Sequence, residues 1–258
     1  MGVKQLFDLG GRSALVTGGS RGLGLQIAEA LGEMGARVAL TARKKDELDA
    51  AVAHLAKLGI EAHAWVCDLG KRETIPPVFD QVLAKFGRVD ILVNNAGATW
   101  GAPAEDHPLE AWDKLVALNL IGTFVMSQQA AKKSMIPAKW GRIVNVASIA
   151  GLFASDPAVV KTVSYNATKH GVVGMTKQLA AEWGEHGITV NAICPGFFPS
   201  KMTRATLDTA GELVRRATPT RRLGGEEDLK GLAVLLASEA GRHITGQAIA
   251  VDGGATLI

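Results

Sequence analysis

The chain has one tyrosine, Tyr165, and it lies four residues before Lys169. This pair is the first indication of the chemistry that the protein could perform. On a helix this spacing places both side chains on one face. A free phenol has a pKa of about 10, too high for ready proton exchange near neutrality, and a nearby ammonium lowers it by stabilising the phenolate. The pair therefore predicts a general acid and base, although a tyrosine and a lysine at this spacing also occur on ordinary helices.

A glycine-rich segment, Thr17 to Gly24, follows the first apolar run and reads TGGSRGLG. It leads directly into the helical pattern that begins at Leu25. Glycines let the backbone approach a pyrophosphate closely, and the free N–H groups and dipole at a helix start stabilise its negative charge. A strand, this turn and a helix, in that order, predict a nucleotide-binding site.

The end of the second apolar run bears on which nucleotide the predicted site would bind. In a dinucleotide-binding fold an acidic residue at this place hydrogen-bonds the ribose 2′-hydroxyl and repels a 2′-phosphate. Ala42 stands there instead, Arg43 follows it, and Arg21 lies within the glycine turn. Two guanidinium groups can make charge-assisted, bidentate bonds to a phosphate, so together they favour NADP(H). Either arginine alone could equally be a solvated surface residue.

The scaffold for these residues is predicted by short apolar runs that alternate with longer helical patterns. Because this alternation is typical of repeated βαβ units, we expect residues 1–258 to form a single-domain α/β protein. Its fold class is a Rossmann-type, doubly wound parallel sheet of about seven strands, with helices on both faces. The predicted strands are 13–17, 37–41, 62–67, 91–94, 142–146, 189–193 and 248–251. The predicted helices are 22–34, 46–57, 76–86, 109–135, 164–183, 203–217 and 226–238.

Composition argues against several classes of function. The net charge of +3 is spread over both signs without a long run, so neither a nucleic acid nor a membrane surface is an expected partner. The two cysteines and six scattered histidines offer no metal-ligand spacing, so no metal is expected. The chain has no apolar run of the roughly 18 residues that span a bilayer and no signal-peptide pattern, so we expect a soluble, cytoplasmic protein.

Several motifs occur together in one order: the glycine turn, Asn94-Asn95-Ala96-Gly97, Ser148, Tyr165 with Lys169, and Pro195-Gly196. With this set the chain resembles the short-chain dehydrogenase/reductase family over essentially its whole length. It is most similar to 3-oxoacyl thioester reductases and to sugar-acid dehydrogenases of the gluconate 5-dehydrogenase kind. The resemblance implies an NADP(H)-dependent enzyme that interconverts a ketone and a secondary alcohol, and a homotetramer. The first expected substrate is a 3-oxoacyl thioester or a similar carbonyl compound.

The resemblance assigns four catalytic roles. Tyr165 exchanges the proton, Lys169 lowers its pKa and holds the nicotinamide ribose, Ser148 hydrogen-bonds the carbonyl, and Asn119 anchors a relay water. Ser148 could instead be a strand-end turn residue, and Asn119 a satisfied polar residue in a helix interface. The cofactor contacts implied by the resemblance are Thr17, Gly18, Ser20, Arg21, Gly22, Leu23, Gly24, Arg43, Asp68, Leu69, Asn95, Ala96, Gly97, Tyr165, Lys169, Pro195, Gly196, Phe198, Ser200 and Met202. Asp68 could equally cap a helix.

The chain departs from the family pattern on the substrate side. Ser200 stands where the family usually has a threonine, and the segment between Ser148 and Tyr165 is longer than usual. Residues 197–220 resemble the family's mobile substrate lid. Phe153, Phe197 and Trp100 could form an apolar wall for an acyl or cyclic ketone, although core packing explains some of them as well. A sugar-acid or polyol substrate, and a non-catalytic NADP-binding sensor or scaffold, stay open as alternatives.

Overall fold

A computed structural model of the protein describes residues 1–257, which surround one seven-stranded sheet. Every neighbouring pair of strands is parallel, and the order is β3-β2-β1-β4-β5-β6-β7. This confirms the predicted Rossmann-type sheet. Because all strands run in one direction, their carboxyl ends meet at a single edge. The strands are β1 Ser13–Thr17, β2 Arg37–Ala42, β3 Ala62–Val66, β4 Ile91–Asn94, β5 Gly141–Val146, β6 Ile188–Pro195 and β7 Ala248–Val251.

Helices connect the strands and cover both faces of the sheet. In β1, Val16 packs in a cluster with Leu31 on one face, and the adjacent Leu15 packs with Phe79 and Met126 on the other. This alternation follows from the twofold period of a strand, and it explains why β1 is apolar almost throughout. Beside the long helix described next, the α-helices are Val3–Leu6, Gly22–Glu33, Lys45–Lys57, Ile75–Phe86, Val163–Trp183, Arg204–Ala217 and Lys230–Ala237.

The helix predicted at 109–135 is present, but it is not a uniform α-helix. Its successive segments are the α-helical Leu109–Leu115, the π-helical Val116–Gly122, the α-helical Thr123–Ala130, the π-helical Ala131–Met135 and the α-helical Ile136–Ala138. Asn119 lies in the first π-helical segment, where the Thr123 hydroxyl donates to its backbone oxygen at 2.9 Å. Such segments occur frequently at functional sites.

The last predicted helix begins later than expected, at Lys230 instead of residue 226. The Asp228 carboxylate accepts a hydrogen bond from the Gly225 N–H at 2.7 Å and one from Arg222 Nη2 at 2.8 Å. These bonds stabilise a loop conformation over the residues that precede the helix. Within residues 1–257, no helix has the length and hydropathy to cross a bilayer, and no three His, Cys, Asp or Glu side chains converge as metal ligands.

Candidate active site

A cleft of about 310 Å³ lies at the carboxyl edge of the sheet. It is lined by the glycine turn, by the segments that follow β2 to β6, and by the first turns of the helix Val163–Trp183. The sequence-predicted residues that line it are Gly18, Ser20, Arg21, Gly22, Leu23, Arg43, Asp68, Leu69, Asn95, Ala96, Gly97, Ser148, Tyr165, Lys169, Pro195, Gly196, Phe198, Ser200 and Met202.

The glycine turn is held against the end of β4. The Thr17 hydroxyl donates to the Val93 carbonyl at 3.4 Å and accepts from the N–H groups of Asn95 and Ala96 at 3.0 and 3.1 Å. The Asn95 amide in turn donates to the Thr17 and Gly18 carbonyls, both at 3.0 Å. Thr17 therefore supports the cleft from behind, without lining it.

Three glycines of the turn are required by its geometry. Gly18 has a φ of 64°, and a Cβ there would lie 2.9 Å from the Ala96 Cα. A Cβ on Gly24 would lie 2.4 Å from the Gly18 oxygen, so Gly24 allows the helix to approach the turn. Gly22 has a φ of 54° and open space on its Cβ side. The turn thus leaves open space beside its backbone at Gly22, as the close approach of a pyrophosphate requires.

Charged side chains gather where the glycine turn meets the end of β2. Arg21, Arg43, Lys44 and Glu47 all line the cleft there. Arg21 Nη1 lies 2.7 Å from Glu47 Oε1, and Lys44 Nζ lies 3.5 Å from the same oxygen. The three cations give this corner the positive charge that a 2′-phosphate needs. The sequence reasoning missed Lys44 and Glu47, because only the fold places the start of the helix Lys45–Lys57 beside the glycine turn.

Asp68 does not cap a helix, because the short helical turn that follows, Arg72–Thr74, begins after Lys71 and has no side-chain cap. It lines the cleft, and its Oδ1 accepts a hydrogen bond of 3.1 Å from the Gly70 N–H. The carboxylate therefore closes the turn after β3 and still faces the region where a nucleotide would lie.

Tyr165 and Lys169 line the cleft from successive turns of one helix, and Ser148 faces them from the end of β5. Lys169 Nζ donates a hydrogen bond of 2.8 Å to the Val146 carbonyl. The Ser148 hydroxyl accepts one of 3.1 Å from the Ala150 N–H, so it also caps the turn that follows. The structure thus brings together three of the four residues to which catalytic roles were assigned.

Burial shifts the pKa values of Tyr165, Lys169 and Cys194 in the protein without cofactor. Burial raises the pKa of Tyr165, and hydrogen bonding with Ser148 opposes the rise. Burial lowers the pKa of Lys169 to about 8. Cys194, behind them, is also buried, which raises the pKa of its thiol to about 11. Burial therefore works against the lowered phenol pKa expected from the neighbouring ammonium, because it disfavours the charged phenolate.

Asn119 does not line the cleft, although it lies directly behind it. Its amide nitrogen donates to the Ala98 carbonyl at 3.0 Å and to the Thr168 hydroxyl at 3.1 Å, and its amide oxygen accepts from the Ala98 N–H at 3.0 Å. The Thr168 hydroxyl donates to the Tyr165 carbonyl at 2.9 Å. Asn119 thus joins the segment after β4 to the helix that carries Tyr165.

The predicted apolar wall does not line this cleft. Trp100 and Phe153 are 50% and 38% exposed and lie outside it. Phe197 lines a second cavity, of about 100 Å³, instead. Periodicity and residue type could not separate these positions from pocket residues, because their distance from the cleft depends on the course of the loops.

Polar residues line the part of the cleft that follows β6. Ser200, Lys201 and Thr203 are found there together with Met202. The Thr203 hydroxyl donates to the Phe198 carbonyl at 2.6 Å and accepts from the Ser200 N–H at 3.0 Å, which fixes the turn. The lining residues that the sequence did not assign to the cofactor or the substrate are Ala42, Lys44, Glu47, Leu118, Val146, Ala147, Lys201 and Thr203.

The long segment before Tyr165 is attached to its surroundings at both ends. The Ala102 N–H donates to the Lys161 carbonyl at 2.9 Å, which joins the segment to the loop after β4. The amide of Asn166 donates to the Ser155 hydroxyl at 3.3 Å and accepts from the Thr162 hydroxyl at 2.9 Å. The insertion therefore packs between the β4 loop and the catalytic helix.

Comparison with known proteins identifies close relatives along the whole chain. Residues 12–211 match the short chain dehydrogenase family. D-threitol dehydrogenase of Mycolicibacterium smegmatis is 39% identical, over 97% of this chain and 95% of its own length. A 3-oxoacyl-[acyl-carrier-protein] reductase of Aquifex aeolicus is 36% identical, over 95% and 98%. The crystal structure of a gluconate 5-dehydrogenase from Burkholderia cenocepacia, in complex with NADP and tartrate, superposes with a TM-score of 0.94 at 34% identity, over 100% of both chains.

Proposed function

The chain belongs to the short-chain dehydrogenase family, and on that basis we propose that it interconverts a polyhydroxylated ketone, such as a keto sugar acid, and its secondary alcohol with NADP(H). The observation that carries the proposal is the convergence of Ser148, Tyr165 and Lys169 on one cleft whose other end is cationic. A phenol that could transfer a proton and a corner that could bind a phosphate would then share one cavity, which supports the proposal.

The residues present fit NADP(H). The glycine turn leaves open space at Gly22, where backbone N–H groups would bind the pyrophosphate. Arg21, Arg43 and Lys44 would hold the 2′-phosphate, and the remaining donors of Lys169 would bind the nicotinamide ribose. When bound, the cofactor supplies or accepts the hydride of the reaction.

The protein's own contribution is proton transfer and orientation of the substrate oxygen. In reduction, the Tyr165 hydroxyl gives its proton to the carbonyl oxygen as the carbonyl carbon gains the hydride. Ser148 hydrogen-bonds the same oxygen and stabilises its developing charge. In oxidation the phenolate takes the proton back. The residues 197–220, which include the helix Arg204–Ala217, would close over this step and exclude water.

The substrate class is supported by the polar side of the cleft. The Lys201 ammonium provides hydrogen-bond donors there and Ser200 adds a hydroxyl, whereas Trp100 and Phe153 lie outside. Within residues 1–257, no carboxylate lies within ion-pair distance of Lys201, so its ammonium is available to an anionic substrate. A polyhydroxylated carboxylate provides the acceptors and the charge that these groups match.

A 3-oxoacyl thioester is the second candidate. Met202 gives the same part of the cleft an apolar side chain that is 43% exposed and could contact an acyl chain. The relatives at a similar level of identity include reductases of 3-oxoacyl carriers as well as polyol dehydrogenases, so substrate choice has to be measured.

The proposal is tested by following NADPH oxidation with 5-ketogluconate and with acetoacetyl-coenzyme A. We expect 5-ketogluconate to give a kcat/KM at least tenfold higher. Lys201→Met should raise the KM for 5-ketogluconate about fivefold, as for loss of a partly exposed ion pair. Lys177→Met, at an exposed position outside the cleft, is the matched control and should leave it unchanged. A preference for the thioester would contradict the proposed substrate class.

We also infer a homotetramer. Phe124 and Ile121, on the helix that spans 109–138, expose apolar surface, and Val251 in the edge strand β7 is only half-buried. Apolar surface of this kind is typical of subunit interfaces. Analytical ultracentrifugation should give about four times the mass of one chain at micromolar concentration, and a monomer would contradict the inference.

A further inference from the structure

The cationic corner of the cleft contains one carboxylate, that of Glu47. Its Oε1 accepts from Arg21 Nη1 at 2.7 Å and lies 3.5 Å from Lys44 Nζ. The Ser20 hydroxyl donates to its Oε2 at 3.4 Å, which orients the carboxylate toward the glycine turn. All four side chains line the cleft. Glu47 therefore occupies, on two of the three cations, the place that a 2′-phosphate would take.

We propose that Glu47 competes with the cofactor's 2′-phosphate for Arg21 and Lys44, and thereby limits the preference of the enzyme for NADP(H) over NAD(H). The residue is a specificity determinant that lies at the start of the helix after β2, outside the strand end where cofactor preference was sought in the sequence.

Arg21 could exchange Glu47 for the 2′-phosphate because the Arg21–Glu47 ion pair is partly exposed to solvent. The side chains of Arg21 and Glu47 are 49% and 24% exposed, and ion pairs at such sites contribute little stability. A phosphate dianion offers Arg21 more negative charge than one carboxylate does, and it can also bind the guanidinium bidentately. Breaking the Arg21–Glu47 ion pair to bind the phosphate therefore costs little free energy.

Electrostatic repulsion between Glu47 and the 2′-phosphate also disfavours binding of the phosphorylated cofactor. Once Arg21 has moved to the phosphate, the Glu47 carboxylate faces a dianion across a cleft that the ligand has partly desolvated. Like charges at this range disfavour binding, and a ribose with a free 2′-hydroxyl does not meet this repulsion. Glu47 therefore weakens NADP(H) binding and leaves NAD(H) binding almost unaffected.

Glu47 could instead have a positioning role. In that role its carboxylate orients Arg21 for the 2′-phosphate and so strengthens binding. The two roles predict changes of opposite sign when Glu47 loses its charge. Competition predicts tighter binding of the phosphorylated cofactor by Glu47→Gln, whereas positioning predicts weaker binding.

The experiment measures binding of 2′,5′-ADP and of 5′-AMP to the protein of residues 1–258 by isothermal titration calorimetry. These two ligands differ only in the 2′-phosphate and carry no nicotinamide, so the result does not depend on the proposed reaction or on Tyr165. Asp49→Asn is the matched control, because it removes the same charge from the same helix, where Asp49 pairs with Lys45 at 2.6 Å outside the cleft.

We expect Glu47→Gln to tighten 2′,5′-ADP binding about three- to tenfold and to change 5′-AMP binding less than twofold. Asp49→Asn should change neither more than twofold. The proposal is overturned if 2′,5′-ADP binds Glu47→Gln no more tightly than it binds the unsubstituted protein. It is also overturned if the affinity for 5′-AMP rises as much, or if Asp49→Asn raises the affinity for 2′,5′-ADP by the same factor.

Discussion

Lys169 Nζ lies 5.6 Å from the centroid of the Tyr165 ring, and it is fixed there by its hydrogen bond to the Val146 carbonyl. That bond uses one of the three donors of the ammonium, which leaves two for other acceptors in the cleft. The arrangement places a cation beside the phenol, at a site where burial opposes both the phenolate and the ammonium. A bound ligand that brings positive charge would therefore change the protonation of Tyr165 strongly.

Tyr165→Phe removes the only proton donor that we assign to the reaction. We expect kcat to fall by about a hundredfold or more. NADPH binding, followed by fluorescence titration, should change less than twofold, because the ring and its packing are kept. A variant that retained most of its kcat would remove Tyr165 from the mechanism.

Arg43→Ala removes a cation from the 2′-phosphate corner. We expect the dissociation constant of NADPH to rise about ten- to a hundredfold, which corresponds to about 1.5 to 3 kcal/mol, and that of NADH to stay within twofold. The exposed Arg72 lies outside the cleft, and Arg72→Ala is the control for a general loss of positive charge. Equal losses for both cofactors would contradict the assignment of Arg43.

Asn119→Ala should affect stability as well as turnover. The three hydrogen bonds of the Asn119 side chain satisfy both backbone groups of Ala98 and reach Thr168. Their loss should lower the free energy of unfolding by about 1 to 3 kcal/mol, measured by urea denaturation. Asn166→Ala, at a more exposed amide on the helix Val163–Trp183, should lower the free energy of unfolding by less than about 1 kcal/mol. An Asn119→Ala variant with unchanged stability and low kcat would favour a purely catalytic role.

Lys169 makes stability depend on pH in a defined direction. Its pKa is about 8 in the folded protein, against an ordinary value of 10.5, because only 5% of the residue is exposed. Between these values the unfolded chain binds more protons at this site, so this residue's contribution to the free energy of unfolding rises with pH.

Lys169→Met should remove that contribution. The difference in unfolding free energy, native protein minus variant, is expected to rise by up to about 3 kcal/mol between pH 7 and about pH 10. Urea denaturation of both proteins across this range measures it. A constant difference would show that Lys169 keeps an ordinary pKa in the fold.

The order and type of the strands were predictable from the sequence because each strand carries its own local signal. The run from Ser13 to Thr17 is apolar or β-branched throughout, as expected when both sides of a strand are covered, and β1 has these bounds in the structure. The long helix at 109–138 was also predictable, but its π-helical segments were not. They depend on tertiary contacts such as those of Asn119 with Ala98, which leave no periodic pattern.

The residues of the candidate site were predictable where a motif lies next to a strand end. They were not predictable where the conformation of a loop determines which side chains reach the cleft. Tyr165, Lys169 and the glycine turn converge on the cleft because parallel strands end at one edge. Glu47 and Lys201 carry no motif, and they became visible only when the fold placed them in the cleft. Trp100 and Phe153 were assigned to a pocket from residue type, which could not show that they lie outside it.

Ionisation of the sole tyrosine tests the central claim most directly, because near-ultraviolet absorbance of the phenolate reports on Tyr165 without interference from other tyrosines. In the free protein we expect the titration midpoint to lie above the ordinary value of 10, since burial raises this pKa. Saturating NADP⁺ should lower the midpoint by about one unit or more, through the positive charge of the oxidised nicotinamide. A midpoint at the ordinary value that NADP⁺ leaves unchanged would contradict the account, because the phenol would then lie outside the cofactor cleft.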